Sequence, residues 1–195
     1  MDVQKIKDKL ERGMPPSILL GSARFINSDA RNSSELTDPR YLPFYYYLGS
    51  QCRPRCVLQI GSKLGLPGLC FLQSCKTVEA WSILDLKNDS PVYSSTIVGN
   101  TCRFLRGQCS YIVDEPTRLQ HKICSKNWDL ILVLDENGPN EYMNVMWDHL
   151  ATEGLLVVDY IFRDSIGESF HTFCRVKNRV PVVFETRHGV GIVER

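Results

Sequence analysis

The chain predicts a doubly wound α/β domain: a mostly parallel sheet, helices on both faces, and an antiparallel hairpin at one edge. Three observations predict it. From Cys56 onward, short apolar runs alternate with helical stretches. The first run meets a glycine-rich turn, Gly61-Ser62-Lys63-Leu64-Gly65, which leads into an apolar helix. The last two runs are separated only by Arg187-His188-Gly189, the spacing of a hairpin.

The elements follow in order. Residues 2–12 carry Ile6 and Leu10 at helical spacing among charges, which predicts a short amphipathic helix. Residues 13–40 hold Pro15-Pro16, Gly21 and the polar stretch 27–34, an irregular lead-in. Asp38-Pro39 marks a helix start, Asp as cap and Pro in the first turn. That helix runs from Arg40 to Gly49 and carries Tyr41, Phe44, Tyr45, Tyr46 and Tyr47. Its aromatic face either packs on the sheet or forms a lid. Strand 1 is Cys56–Ile60, followed by a helix from Pro67 to about Cys75. Strand 2 is Val78–Leu84, with a helix around Pro91–Leu105. Strand 3 is Cys109–Val113, with a helix near Pro116–Cys124. Strand 4, Trp128–Leu134, is a near-continuous apolar run, as a central strand covered on both faces should be. A helix fills Asn140–Leu150, ended by Glu153-Gly154. Strand 5 is Leu155–Ile161, and a helix covers Gly167–Lys177. Val180–Thr186 and Val190–Glu194 complete seven strands. The organisation is an N-terminal helix and lead-in over residues 1–39, then one domain over 40–195.

Bulk composition sets the outer bounds. The chain has 195 residues, 43% hydrophobic and 23% charged, with a formal net charge of +1. That suits one globular domain with a real core. No basic excess recruits nucleic acid or an anionic membrane. The charged start is no signal peptide and no apolar stretch spans a bilayer, so a cytoplasmic location is expected. Eight cysteines occur without a CxxC pair and without histidines at zinc-finger spacing. Small buried thiols in a reducing compartment are the reading, ahead of disulfides or zinc.

The candidate chemistry lies at the strand ends. Glycines let the backbone turn sharply and approach a ligand, and the following helix N-terminus offers free N–H donors. Gln59, Gly61, Ser62 and Gly65 are therefore candidate cofactor contacts. Asp85 follows Gly61 by roughly twenty residues, the spacing at which a carboxylate accepts hydrogen bonds from ribose hydroxyls. The alternative is a solvated Asp before the turn at Asn88–Pro91. Asp114 ends strand 3 and is either a ligand-facing acid or a helix cap. Asp135 and Asp159 end strands 4 and 5. In a doubly wound sheet these ends line one crevice, so the two carboxylates should converge there. Either could orient a substrate hydroxyl or act as general base. Of the histidines, His188 sits in the closing turn, and His121 and His149 on helices.

These motifs together resemble the class I S-adenosylmethionine-dependent methyltransferases, over roughly residues 40–195. Trp128–Asp135 resembles the family's fourth strand. Glu153–Asp159 resembles the turn and fifth strand of the small O-methyltransferases, and Thr186–Ile192 their ending. The resemblance implies a Rossmann-like fold, S-adenosylmethionine as cofactor, and methyl transfer to an oxygen of a small-molecule acceptor. It implies that Gln59, Gly61, Ser62, Gly65, Asp85 and Asp114 bind the cofactor, Asp114 facing adenine. It implies that Asp135 and Asp159 are catalytic, and that they bind a divalent cation such as magnesium. The chain departs from the family at three positions. The acid two residues before the first glycine is Gln59, the middle glycine is Lys63, and the residue after the fifth-strand acid is Tyr160. The departures support a second reading: a methyltransferase-like module that binds or scaffolds without catalysis. A nicotinamide dinucleotide enzyme fits less well, because the turn is not GxGxxG.

Overall fold

The computed structural model describes residues 3–11, 38–86, 94–114, 116–135 and 142–195. In chain order the elements are α1 (Val3–Glu11), α2 (Tyr41–Gln51), β1 (Cys56–Ile60), α3 (Leu66–Ser74), β2 (Ala80–Leu86), α4 (Ser94–Cys102), β3 (Gln108–Asp114), α5 (Pro116–Ile123), β4 (Trp128–Val133), α6 (Met143–Asp148), β5 (Leu150–Asp159), α7 (Asp164–Val176), β6 (Val182–Phe184) and β7 (Val190–Glu194). A single 3-10 turn, Lys63–Gly65, joins β1 to α3. The polar stretch 27–34, the turn 88–91 and the predicted helix starts at Pro91 and Asn140 lie outside the described residues.

One seven-stranded sheet has the order β3-β2-β1-β4-β5-β7-β6. The first five pair in parallel, with Leu58 opposite both Ser82 and Ile131, and Leu130 opposite Leu155. β7 runs antiparallel to both β5 and β6. This is the doubly wound sheet with terminal hairpin that the strand–helix alternation predicts. The three most continuously apolar strands, β1, β4 and β5, are neighbours at its centre.

Alternation within each strand divides the core. Val57, Trp81, Ile83, Leu130, Leu132 and Val157 face one side, under α1, α2, α3 and α4. Leu58, Ile60, Leu84, Ile131, Val133 and Val158 face the other, under α5, α6 and α7. The period of two sends successive side chains to opposite faces, so a strand apolar throughout must be covered twice. Ile6 of α1 is fully buried in the first of these layers.

Gly49 does not end α2; it lies inside it. A Cβ there would sit 2.4 Å from the Phe71 carbonyl oxygen of α3, so glycine is needed for close helix packing. Glu153-Gly154 does not end a helix but lies within β5, which begins at Leu150. Glu153 takes φ 65°, and the register with β4 shifts between Trp128 and Leu130. The strand is kinked there, which is why its first part escapes an apolar pattern. Asp38 does not cap α2: the N-cap is Arg40, which makes no side-chain cap bond, and Pro39 precedes the helix. Asp38 instead braces the turn before it, its Oδ1 accepting from the Arg40 N–H at 2.8 Å, and its Oδ2 accepts from the Arg187 N–H at 2.6 Å, tying that turn to the terminal hairpin. All eight cysteines are free thiols. Burial raises Cys70 to about 12 and Cys174 to about 11, so these two behave as inert core residues; the expectation of buried thiols does not hold for Cys124, which is exposed.

Candidate functional site

The candidate residues lie at the carboxyl ends of the five parallel strands. Gln59 and Gly61 close β1, Asp85 is near the end of β2, Asp114 ends β3, Asp135 follows β4, and Asp159 ends β5. The topology thus brings them to one edge of the sheet, but not to one point. Asp114 on β3 and Asp159 on β5 are four strand spacings apart, roughly 19 Å.

The turn after β1 is the structural centre of this edge. The Gly61 N–H donates to the Leu84 carbonyl at 2.9 Å, and the Leu134 N–H donates to the Ile60 carbonyl at 2.7 Å. A Cβ on Gly61, at φ 85°, would lie 2.9 Å from the Asp135 nitrogen. Glycine is therefore required where β1 and β4 meet. Lys63, Leu64 and Gly65 then follow at φ 43°, 55° and 72°. Left-handed backbone costs a non-glycine residue about 1–2 kcal/mol, so this turn must be held. Two side chains hold it. Asn100 of α4 donates to the Leu64 carbonyl at 2.8 Å. Gln59, fully buried, donates to the carbonyls of Gly61 at 2.8 Å and Ser62 at 3.0 Å.

The Gln59 side-chain oxygen accepts from the Trp81 indole N–H at 3.1 Å. Its polar groups thus serve the turn and the core. A carboxylate at this position would set an acceptor against two carbonyl acceptors, so the amide is the group this turn requires.

Asp85 is buried, with 2% exposure, and its Oδ2 accepts from the Tyr111 hydroxyl at 2.9 Å. Asp114, partly exposed, faces Arg118 one helical turn on, at 3.8 Å. That is a solvent-screened pair.

At the β5 end the structure adds contacts that the pattern of apolar residues does not reveal. Asp159 is 2% exposed. The Tyr41 hydroxyl donates to its Oδ2 at 2.7 Å and the Tyr45 hydroxyl to its Oδ1 at 2.6 Å. Burial, then the charge of Asp159, raises both tyrosines well above their ordinary range. Both remain protonated donors. The tyrosines are four residues apart on α2, so they share one face, and that face packs on the sheet. The i, i+4 spacing was the available sequence signal; the acid it would meet was not.

The residues do not fit a divalent cation. Both Asp159 oxygens already accept phenol hydrogens, and the next residue is Tyr160. Among the described residues no group of three or more His, Cys, Asp or Glu is placed to hold a metal.

Tyr160 is buried and takes φ 62°. The Lys63 ammonium donates to its hydroxyl and lies 4.7 Å from its ring centroid. The Arg163 guanidinium is 4.8 Å from the same centroid, and the His188 ring is 5.0 Å away. Since β4 lies between β1 and β5, Lys63 crosses the end of β4 to reach Tyr160.

No family model and no curated protein matches the chain. Solved structures match over nearly the whole chain. One is an SAH-bound methyltransferase of Podospora anserina, PaMTH1, at TM-score 0.65 and 14% identity, covering 99% of this chain and 96% of that one. Another is the O-methyltransferase TomG of Streptomyces achromogenes, involved in tomaymycin synthesis and solved with SAM, at 0.65 and 10%, covering 100% and 98%. A third is a Bacillus cereus O-methyltransferase in complex with SAH, at 0.59 and 11%, covering 98% and 90%. The fold of this chain is therefore that of the class I S-adenosylmethionine-dependent methyltransferases.

Proposed function

We propose that the crevice at the carboxyl ends of β1, β2 and β4 binds S-adenosylmethionine, and that the protein methylates an oxygen of a small molecule. The observation that carries this reading is Asp85. It is a carboxylate near the end of β2, beside the glycine turn, a place that suits an acceptor for a ribose hydroxyl, and the Tyr111 hydroxyl orients it through Oδ2. Gly61, Ser62 and Gly65 shape the backbone against which the cofactor lies, and Asp114 faces its adenine end. Gln59 acts by holding the turn. The bound cofactor supplies an electrophilic methyl group. The chain's work is then positioning and proton removal. Asp135 takes the acceptor proton, because Asp159 is engaged by Tyr41 and Tyr45 and serves to fix α2 over the sheet.

Incubation with methyl-labelled S-adenosylmethionine and a panel of phenols, catechols and aliphatic alcohols tests the reaction. Label transfer to an ether oxygen, abolished in Asp135→Asn, is expected. Cofactor binding with no transfer to any acceptor would contradict it. A second reading is favoured by one contact, Lys63 on Tyr160. In it the crevice is closed and the protein is a catalytically silent binding or structural module. Wild-type protein with no affinity for the cofactor, and affinity restored in Lys63→Gly, would select this second reading.

A further inference from the structure

The charge order around the glycine turn is inverted relative to what a cationic ligand calls for. The buried side chain at position 59 is a neutral amide whose donors go to the carbonyls of Gly61 and Ser62 and whose acceptor takes the Trp81 N–H. It brings no negative charge. Two residues past Gly61, an ammonium projects across the end of β4. Lys63 donates to the Tyr160 hydroxyl and lies over its ring, and Arg163 lies over the same ring. Lys63 itself takes a left-handed φ of 43°. Two cations thus share one ring at the edge of the sheet between β1 and β5.

We infer that Lys63 is a charge-selecting residue: it makes this crevice favour the neutral thioether S-adenosylhomocysteine over the sulfonium S-adenosylmethionine. The inference rests on reading the crevice as an adenosyl-ligand site. The two ligands share adenine, ribose and amino-acid ends. They differ by one methyl group and one unit of charge, so the ratio of their affinities reads mainly the charge environment at sulfur. Asp85, Asp135 and Asp159 also lie along this edge and favour the cation. The change in the ratio when Lys63 alone loses its charge therefore isolates the lysine. Like charges repel, and more strongly where solvent is partly excluded. The expected preference is roughly tenfold.

Calorimetric titration of the full chain with each ligand tests this, in wild type, Lys63→Met, Lys63→Arg and Tyr160→Phe. Wild type should bind S-adenosylhomocysteine about tenfold more tightly than S-adenosylmethionine. Lys63→Met keeps side-chain length without charge and should bring the two within about twofold, while Lys63→Arg should keep the preference. Tyr160→Phe, which removes the hydroxyl that holds the ammonium in the crevice, should weaken the preference and serves if Lys63→Met fails to fold. Equal or tighter binding of S-adenosylmethionine by wild type would overturn the inference and leave the proposed methyl transfer standing. A tenfold preference that survives in Lys63→Met would also overturn it. The expected ratios without methyl transfer to any acceptor would support the inference and sink the proposed reaction. Binding of neither ligand by wild type or Lys63→Met would sink both.

Discussion

Asp85 and Asp159 occupy comparable places, each at the end of a central parallel strand and each 2% exposed, yet the chain surrounds them differently. Asp85 accepts at its Oδ2 from Tyr111 of the neighbouring edge strand β3. Asp159 accepts at each of its oxygens, from Tyr41 and Tyr45, and both donors come from a helix packed on the sheet. Position at a strand end is set by topology. Availability for chemistry is set by what the next layer brings to that position. The β5 end is a clamp between α2 and the sheet; the β2 end is tied sideways to the neighbouring strand β3.

The largest effect should come from breaking the clamp. Asp159→Ala leaves two buried phenol donors without an acceptor, and each such loss is worth about 1–3 kcal/mol. A destabilisation of about 2–6 kcal/mol is expected, a fall in Tm of roughly 4–24 °C. A melt within about 2 °C of wild type would mean the clamp does not hold α2.

The same clamp predicts a pH dependence. The folded-state values of Tyr41 and Tyr45 are raised above the ordinary value of 10.0, chiefly by burial and then by Asp159. Their contribution is fully present below that value and is lost as pH rises through the raised ones, since the unfolded chain releases those protons more readily. Urea unfolding should show stability falling above about pH 10, with a shallower fall in the Tyr41→Phe/Tyr45→Phe double variant. Identical pH profiles would contradict the assignment.

A smaller effect is expected at the β1 end. Asn100→Ala removes the donor that holds the Leu64 carbonyl in the left-handed turn. The expected destabilisation is about 1 kcal/mol. If the turn shapes a ligand site, ligand affinity should fall by more than stability does. An unchanged dissociation constant would separate the turn from the site.

The sheet was legible in the sequence because both-face burial demands continuous apolar runs, and β1, β4 and the second half of β5 have them. The hairpin was legible from its spacing. The start of β5 was not, because its kink at Glu153 places exposed residues where apolar ones are expected. Gly49 was misread because a glycine that allows helix contact looks, in sequence, like one that ends a helix. The placement of Asp85, Asp135 and Asp159 at the carboxyl edge of the sheet follows from topology alone. The partners that give Asp159 its character come from 114 and 118 residues away, and no spacing rule reaches that far. Lys63 was visible as a departure from a glycine pattern; that it reaches Tyr160 depends on strand order.

The most direct test of the account is titration calorimetry of S-adenosylhomocysteine into wild-type protein and Asp85→Ala. The account predicts a saturable one-to-one isotherm for wild type. Loss of the buried carboxylate should weaken it by about 1–3 kcal/mol, or roughly five- to 150-fold in dissociation constant, with the fold intact by circular dichroism. No binding by wild type, or the same dissociation constant in both proteins, would contradict it.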